Sequence, residues 1–143
     1  MSRERYQRDA QRWLQQARTD LEAARDSRLA KHYEWACFQA QQAAEKAVKA
    51  IWLFHTYDPW GHSLVKLLRD FPDTDIRSGL EELSDAAKQL DKLYIPTRYP
   101  NGLPDMTPGE VYTESEADAA AEAALAMIDR ATKMIAEEES QEM

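Results

Sequence analysis

A chain of 143 residues with 43 % hydrophobic and 31 % charged side chains has the length of one domain and too much apolar content to stay unfolded. Its formal net charge of −8 excludes a general basic coat, and with it strong nonspecific DNA binding, while leaving room for a local anion pocket. No apolar run approaches the roughly 18–20 residues of a membrane span.

The start of the chain, MSRERYQRDAQRW, is charged throughout and lacks the apolar segment of a signal peptide. A single cysteine, Cys37, rules out an internal disulfide and agrees with a reducing compartment. These features predict a cytoplasmic protein, with Cys37 a small core residue between Ala36 and Phe38. Abundant alanine and scarce valine and threonine favour helix, because alanine loses no side-chain entropy there. The expectation is a single all-α domain over residues 1–143, with helices near 4–28, 32–57, 62–71, 76–95 and 114–138.

In the first helix Ala10, Trp13, Leu14, Ala17, Leu21 and Ala24 fall at steps of three and four, one stripe of a helix. The second carries small residues, Ala36, Ala40, Ala43, Ala44 and Ala47 with Ile51, which let a neighbouring helix approach closely. Trp35, Phe38, Val48, Trp52 and Phe54 flank that stripe and predict a central position. Together with Trp60 they offer more large apolar surface than one helix and its turn need, so a symmetric homodimer is expected. Asp58-Pro59-Trp60-Gly61 stops the helix, since Pro59 restricts Asp58 and cannot continue it. Leu64, Leu67, Leu68 and Phe71 mark a short third helix. After the turn at Pro72, the fourth carries Ile76, Leu80, Leu83, Ala87, Leu90 and Tyr94 at bundle spacing. Residues 96–112 hold four of the six prolines, and a loop of that length is more often functional than idle. Thr113-Glu114-Ser115-Glu116 reads as a capping box before the seam Ala117, Ala121, Ala124, Ile128, Ala131 and Ile135. Glu137, Glu138, Glu139 and Glu142 make an acidic end. Trp13, Ala40, Ala44, Ala47, Leu83, Leu90, Ala124 and Ile128 are expected to be buried together.

Standard catalytic and cofactor signatures are missing: no phosphate-cradling glycine loop, no zinc-type cysteine pair, no GxSxG and no HExxH. His32, His55 and His62 lie at helix ends or turns without metal-ligand spacing, so neither metal nor cofactor is expected. Two segments hold polar residues that the fold alone does not require. In Gln41-Gln42-Ala43-Ala44-Glu45-Lys46-Ala47-Val48-Lys49-Ala50, Gln42, Lys46 and Lys49 share a face beside Glu45. That face is either solvated with local ion pairs or a polar strip at a groove or dimer interface. In Tyr94-Ile95-Pro96-Thr97-Arg98-Tyr99-Pro100 a helix ends among aromatics and a guanidinium. Arg98 can cap the helix while the tyrosines fill core, or it can grip phosphate while a ring stacks on a base.

These motifs in this order, Trp13, Ala17, Asp20 and Leu21, then QQAAEKAxKA, Gly61-His62-Ser63-Leu64, Leu90-Asp91-x-x-Tyr94-Ile95-x-Thr97-Arg98-Tyr99-Pro100 and Tyr112-Thr113, resemble the HEPN family over nearly the whole chain. The resemblance implies an up-and-down bundle of four long helices plus one short helix, with a long Pro-rich loop before the last. It implies frequent dimerisation and work beside a separate minimal nucleotidyltransferase, as in toxin–antitoxin pairs. It points to a nucleotide or similar anion as ligand, with Lys46, Lys49, His62, Tyr94, Arg98 and Tyr99 as candidates. Ribonucleases of the family carry an Arg and a His separated by four to six residues before the loop. Here no His follows Arg98, and Arg25 with His32 have that spacing only at the first turn of the bundle. A non-enzymatic binding module is therefore expected, without metal-independent ribonuclease activity. A degenerate toxin-type ribonuclease and a pure interaction bundle are the alternatives.

Overall fold

Alanine spacing decides how closely the first two helices pack. The computed structural model describes residues 2–141, so Glu142 of the acidic end lies outside the described residues. Helix α1 spans Arg3–Leu29 and opens on Ser2, whose side chain accepts from the Arg5 N–H. Helix α2 spans Tyr33–Phe54. Ala10, Leu14, Ala17, Leu21 and Ala24 of α1 are buried, and so is the whole stripe Ala36, Ala40, Ala43, Ala44, Ala47 and Ile51 of α2. With hardly a side chain between them the axes can come near the lower end of the usual 8–10 Å spacing.

Side-chain pairs fix the directions. Ser27 bonds Gln39 and Asp20 bonds Lys46, so α2 runs antiparallel to α1. The last long helix, α7 (Glu114–Gln141), antiparallels α1 in turn: Arg28 pairs with Glu114 and Asp118, Arg18 donates to Thr132 and Gln11 to Glu139. Its predicted capping box is formed, with Glu116 N–H on the Thr113 hydroxyl and Thr113 N–H on the Glu116 carboxylate. The turn after α1 places Lys31 at φ 66°, and the turn after α2 places Thr56 at φ 66°, the left-handed region.

The remaining arm of the bundle is segmented. Helix α3 (Leu64–Arg69) stands where the short third helix is expected, whereas helix α4 (Thr74–Gly79), a 3₁₀ turn at Glu81–Leu83 and helix α5 (Ser84–Asp91) replace an unbroken helix over 76–95. Asp73 starts α4 by accepting from the Asp75 and Ile76 N–H groups. Ser78-Gly79, poor helix formers, end it one turn later. Leu80, Leu83, Ala87 and Leu90 are nevertheless buried. The apolar spacing survives where the hydrogen-bond ladder does not, and the arm keeps its place in the all-helical bundle. Within the long loop, Pro100–Gly102 makes a 3₁₀ turn and α6 (Pro108–Val111) a single helical turn capped by Thr107 and Glu110. No strand occurs among the described residues.

Of the residues expected to be buried together, Ala40, Ala44, Ala47, Leu83, Leu90, Ala124 and Ile128 are buried, and Trp13 is not. Trp13 is 38 % exposed because it sits at the margin of the α1 stripe, where its ring lies under the Lys49 ammonium at 5.8 Å. Phe54 is buried, and Trp52 is half-buried with its indole N–H on the Leu67 carbonyl. Trp35 and Trp60 remain 48 % and 87 % exposed.

Candidate functional site

The polar centre of α2 sits among alanines. Glu45 is only 4 % exposed and Gln41 is buried, positions where an unpaired polar group would be costly. Their partners come from the turn after α2. Gly61, at φ +83°, allows the sharp bend that brings His62 back over the helix. His62 Nδ1 meets Glu45 Oε1 at 3.0 Å, and Gln41 Nε2 donates to the His62 carbonyl at 3.4 Å. Gln42 donates to the Gln41 side-chain oxygen at 2.7 Å, and Lys49 Nζ stands 4.0 Å from Glu45 Oε2. Glu45 is thus the hub that fixes which way the imidazole faces.

Asp91 performs the matching task from α5. Its carboxylate accepts from the Leu64 N–H at 2.7 Å, the Val65 N–H at 3.1 Å and the Ser63 hydroxyl at 2.8 Å. These bonds satisfy orphan donors at the start of α3 and lock the His62-Ser63 turn to α5. Tyr94, one turn beyond Asp91, then stacks on the His62 ring, with centroids 4.9 Å apart and planes 16° from parallel.

Arg98 completes the cluster. Its Nε and Nη2 donate to the Tyr94 carbonyl at 2.9 and 2.7 Å, the helix-end role available to any arginine there. Its guanidinium carbon also lies 4.4 Å from the Phe38 ring centroid, 4.8 Å from Tyr94 and 5.2 Å from Tyr99. Thr97, buried, anchors the turn by donating to the Leu93 carbonyl at 2.6 Å. Beside the cluster a shallow cleft of about 310 Å³ is lined by His62, Ser63, Asp91 and Tyr94.

The structure therefore gathers four of the six candidates, His62, Tyr94, Arg98 and Tyr99, into one aromatic and cationic cluster, with Lys49 joined to it through Glu45. Lys46 is placed elsewhere. It pairs with Asp20 at 2.6 Å and lines a separate cleft with Asp9, Arg12, Trp13 and Gln16. Sequence reasoning passed over Asp91 and Phe38 as site residues and named Glu45 only as a neighbour. The available signal was a carboxylate inside an alanine stripe, a position where burial forces it to hold a partner. Cys37, next to Phe38, is buried, and burial first, then the nearby Glu116 and Glu34 charges, push its thiol up to about 12. A thiol that keeps its proton at neutral pH is no nucleophile. No group of three or more His, Cys, Asp or Glu side chains among the described residues is placed to hold a metal, and no described helix is long and apolar enough to cross a membrane.

This geometry rests on two motifs, the Gly-His turn and the Tyr-x-x-Thr-Arg-Tyr-Pro helix end, and the HEPN domain family matches residues 10–135. The chain belongs to the HEPN domain family. Solved structures agree with it. A protein of Thermus thermophilus is 42 % identical, with a TM-score of 0.80 over 87 % of this chain and 96 % of its own. An archaeal HEPN homologue is 36 % identical, with a TM-score of 0.73 over 88 % of this chain and 97 % of its own. A HEPN domain protein of Thermotoga maritima is 31 % identical, with a TM-score of 0.65 over 87 % of this chain and 98 % of its own. Among curated proteins, none matches the chain.

Proposed function

We propose that this HEPN protein is a binding module that takes a nucleotide, or a similar phosphate-bearing anion, on its His62–Tyr94–Arg98 face. The reading includes self-association and work beside a separate minimal nucleotidyltransferase of the toxin–antitoxin type. The observation that carries the ligand part is the Arg98 guanidinium, oriented by two bonds to one carbonyl and framed by three aromatic rings. Its remaining N–H donors suit a phosphate edge, and Tyr99, 50 % exposed, offers a face for a base. The His62 ring supplies a further donor or acceptor whose direction Glu45 sets. Exposed Trp35 and Trp60 support self-association. The partnership rests on family kinship alone.

A second reading has its own support. The two bonds from Arg98 to the Tyr94 carbonyl suffice to explain its presence as a cap, in which case the protein is an interaction bundle without a small ligand. A thermal-shift series with nucleoside mono-, di- and triphosphates separates the two. Under the binding reading a nucleotide raises the melting temperature by mass action. Arg98→Ala abolishes that rise, since a charge-assisted phosphate contact contributes roughly 1.5–3 kcal/mol. Lys49→Ala weakens it through Glu45, whereas Lys46→Ala leaves it nearly intact. Absence of any shift at millimolar nucleotide, with Arg98→Ala costing only roughly 0.3–1 kcal/mol as a lost cap, establishes the interaction reading. Neither reading involves cleavage of RNA, and metal-independent cleavage lost on Arg98→Ala would overturn both.

A further inference from the structure

A further cleft, of about 550 Å³, opens between α3, α4 and α5, and neither His62 nor Arg98 lines it. Its apolar side is Val65 and Leu68, with Leu80 beneath; Arg69, Arg77 and Lys88 stand around it against one acid, Glu81. This local cationic excess occurs in a chain of net charge −8. Arg77 is half-buried and aimed by a bond from Nη1 to the Phe71 carbonyl at 3.2 Å. Among the described residues neither Arg77 nor Lys88 has a carboxylate at ion-pair distance, and Arg69 has only its neighbour Asp70, at 3.7 Å. A partly desolvated guanidinium without a counter-charge favours an anion. The half-buried Val65 and the edge of Leu68, extended by the methylene stems of the three cations, form an apolar wall that favours an apolar body. The volume falls within the roughly 300–1,000 Å³ typical of small-molecule sites.

We propose that this cleft binds a small amphipathic anion, a medium-chain acyl or aryl carboxylate. The head lies between Arg77 and Lys88 and the chain along Val65 and Leu68. Charge and apolar surface act together, so neither a short carboxylate nor an uncharged chain of the same length substitutes for the whole ligand.

The test is an amide NMR titration of the folded protein with decanoate, decanol and acetate. Decanoate is expected to give saturable shifts confined to residues 65–69 and 77–88, with a dissociation constant of about 1 mM or tighter. Decanol and acetate are expected to bind at least about tenfold more weakly, because each lacks one half of the recognition. Lys88→Gln, at an exposed position, should weaken decanoate by about tenfold without moving the melting temperature. Val65→Glu should abolish binding by placing a like charge on the apolar wall. Arg77→Gln is the third variant, read only alongside its own melting curve because Arg77 also touches the Phe71 carbonyl. No saturable shift, equal binding of decanol, insensitivity to both Lys88→Gln and Val65→Glu, or shifts centred on His62 and Arg98 would each overturn the proposal. The last outcome would instead move the anion to the site argued above.

Discussion

The bundle is held together in two different ways. In α1, α2 and α7 the work is done by repeated small and branched apolar side chains, buried over the length of each helix. In the arm from α3 to α5 the helices are one or two turns long and cannot be stable alone. Besides their buried leucines, they are stitched by single polar groups: Asp91 on α3, Asp73 on α4, and Thr97 and Arg98 at the end of the arm. A periodic region spreads its stability over many weak contacts, whereas a stitched region concentrates it in a few groups. The candidate ligand face lies in the stitched region, where side chains are aimed individually by single bonds.

The largest effect that sharpens this contrast belongs to the periodic region. Leu14→Ala should cost roughly 2–5 kcal/mol and do so globally, with urea unfolding followed in α1 and α7 shifting by the same amount. An effect confined to α1 would break the comparison, because it would mean that the long helices do not share one core. Next comes Asp91→Ala, which strands three donors at the start of α3. It should cost roughly 1.5–3 kcal/mol and be felt locally first. Hydrogen exchange should show residues 64–69 losing protection while α1 and α7 keep most of theirs. Equal loss everywhere would show that the arm is no separate unit.

A pH-dependent effect concerns Cys37, on the long-helix side. Its thiol moves from 9.0 to about 12 in the folded protein, chiefly by burial. A group whose folded pKa is raised holds its proton longer in the native state. Its contribution is therefore complete below pH 9 and is lost as pH rises towards 12. Stability should fall across that window, and Cys37→Ala should flatten the fall, measured by denaturant unfolding at stepped pH. Iodoacetamide should label native Cys37 slowly at pH 8 and rapidly in denaturant. Fast native labelling would show that the packing of α2 against its neighbours opens readily.

The same contrast explains what could be read from the residues alone. The course of α1, α2 and α7 is legible because apolar residues recur at three and four steps, and burial follows the stripe. Trp13 misleads because it obeys the spacing from Ala10 yet lies at the stripe's edge, where its ring sits under the Lys49 ammonium instead of entering the core. In the segmented arm the same spacing continues through Leu80, Leu83, Ala87 and Leu90, so periodicity suggests one helix. What breaks it is Gly79 with its 3₁₀ turn, a local preference that a pattern of apolar positions does not register. Arg98 and His62 stand out as residue types that the fold does not require. Glu45 does not, since a carboxylate between alanines and lysines looks like a solvated helix face until the turn at Gly61 is known to fold His62 onto it.

The turns that close α1 and α2 have a practical consequence. Lys31 and Thr56 both occupy left-handed backbone, which disfavours an L side chain by roughly 1–2 kcal/mol and is least tolerated by a β-branched one. The sequence therefore leaves thermal headroom at two sites that touch no proposed ligand. Glycine at either would remove the clash, offset in part by the freedom it adds to the unfolded chain. Thr56→Gly should gain the more, with a rise in melting temperature of about 2–5 °C, and the combined variant would be a sturdier scaffold on which weak-binding experiments at high ligand concentration become practicable.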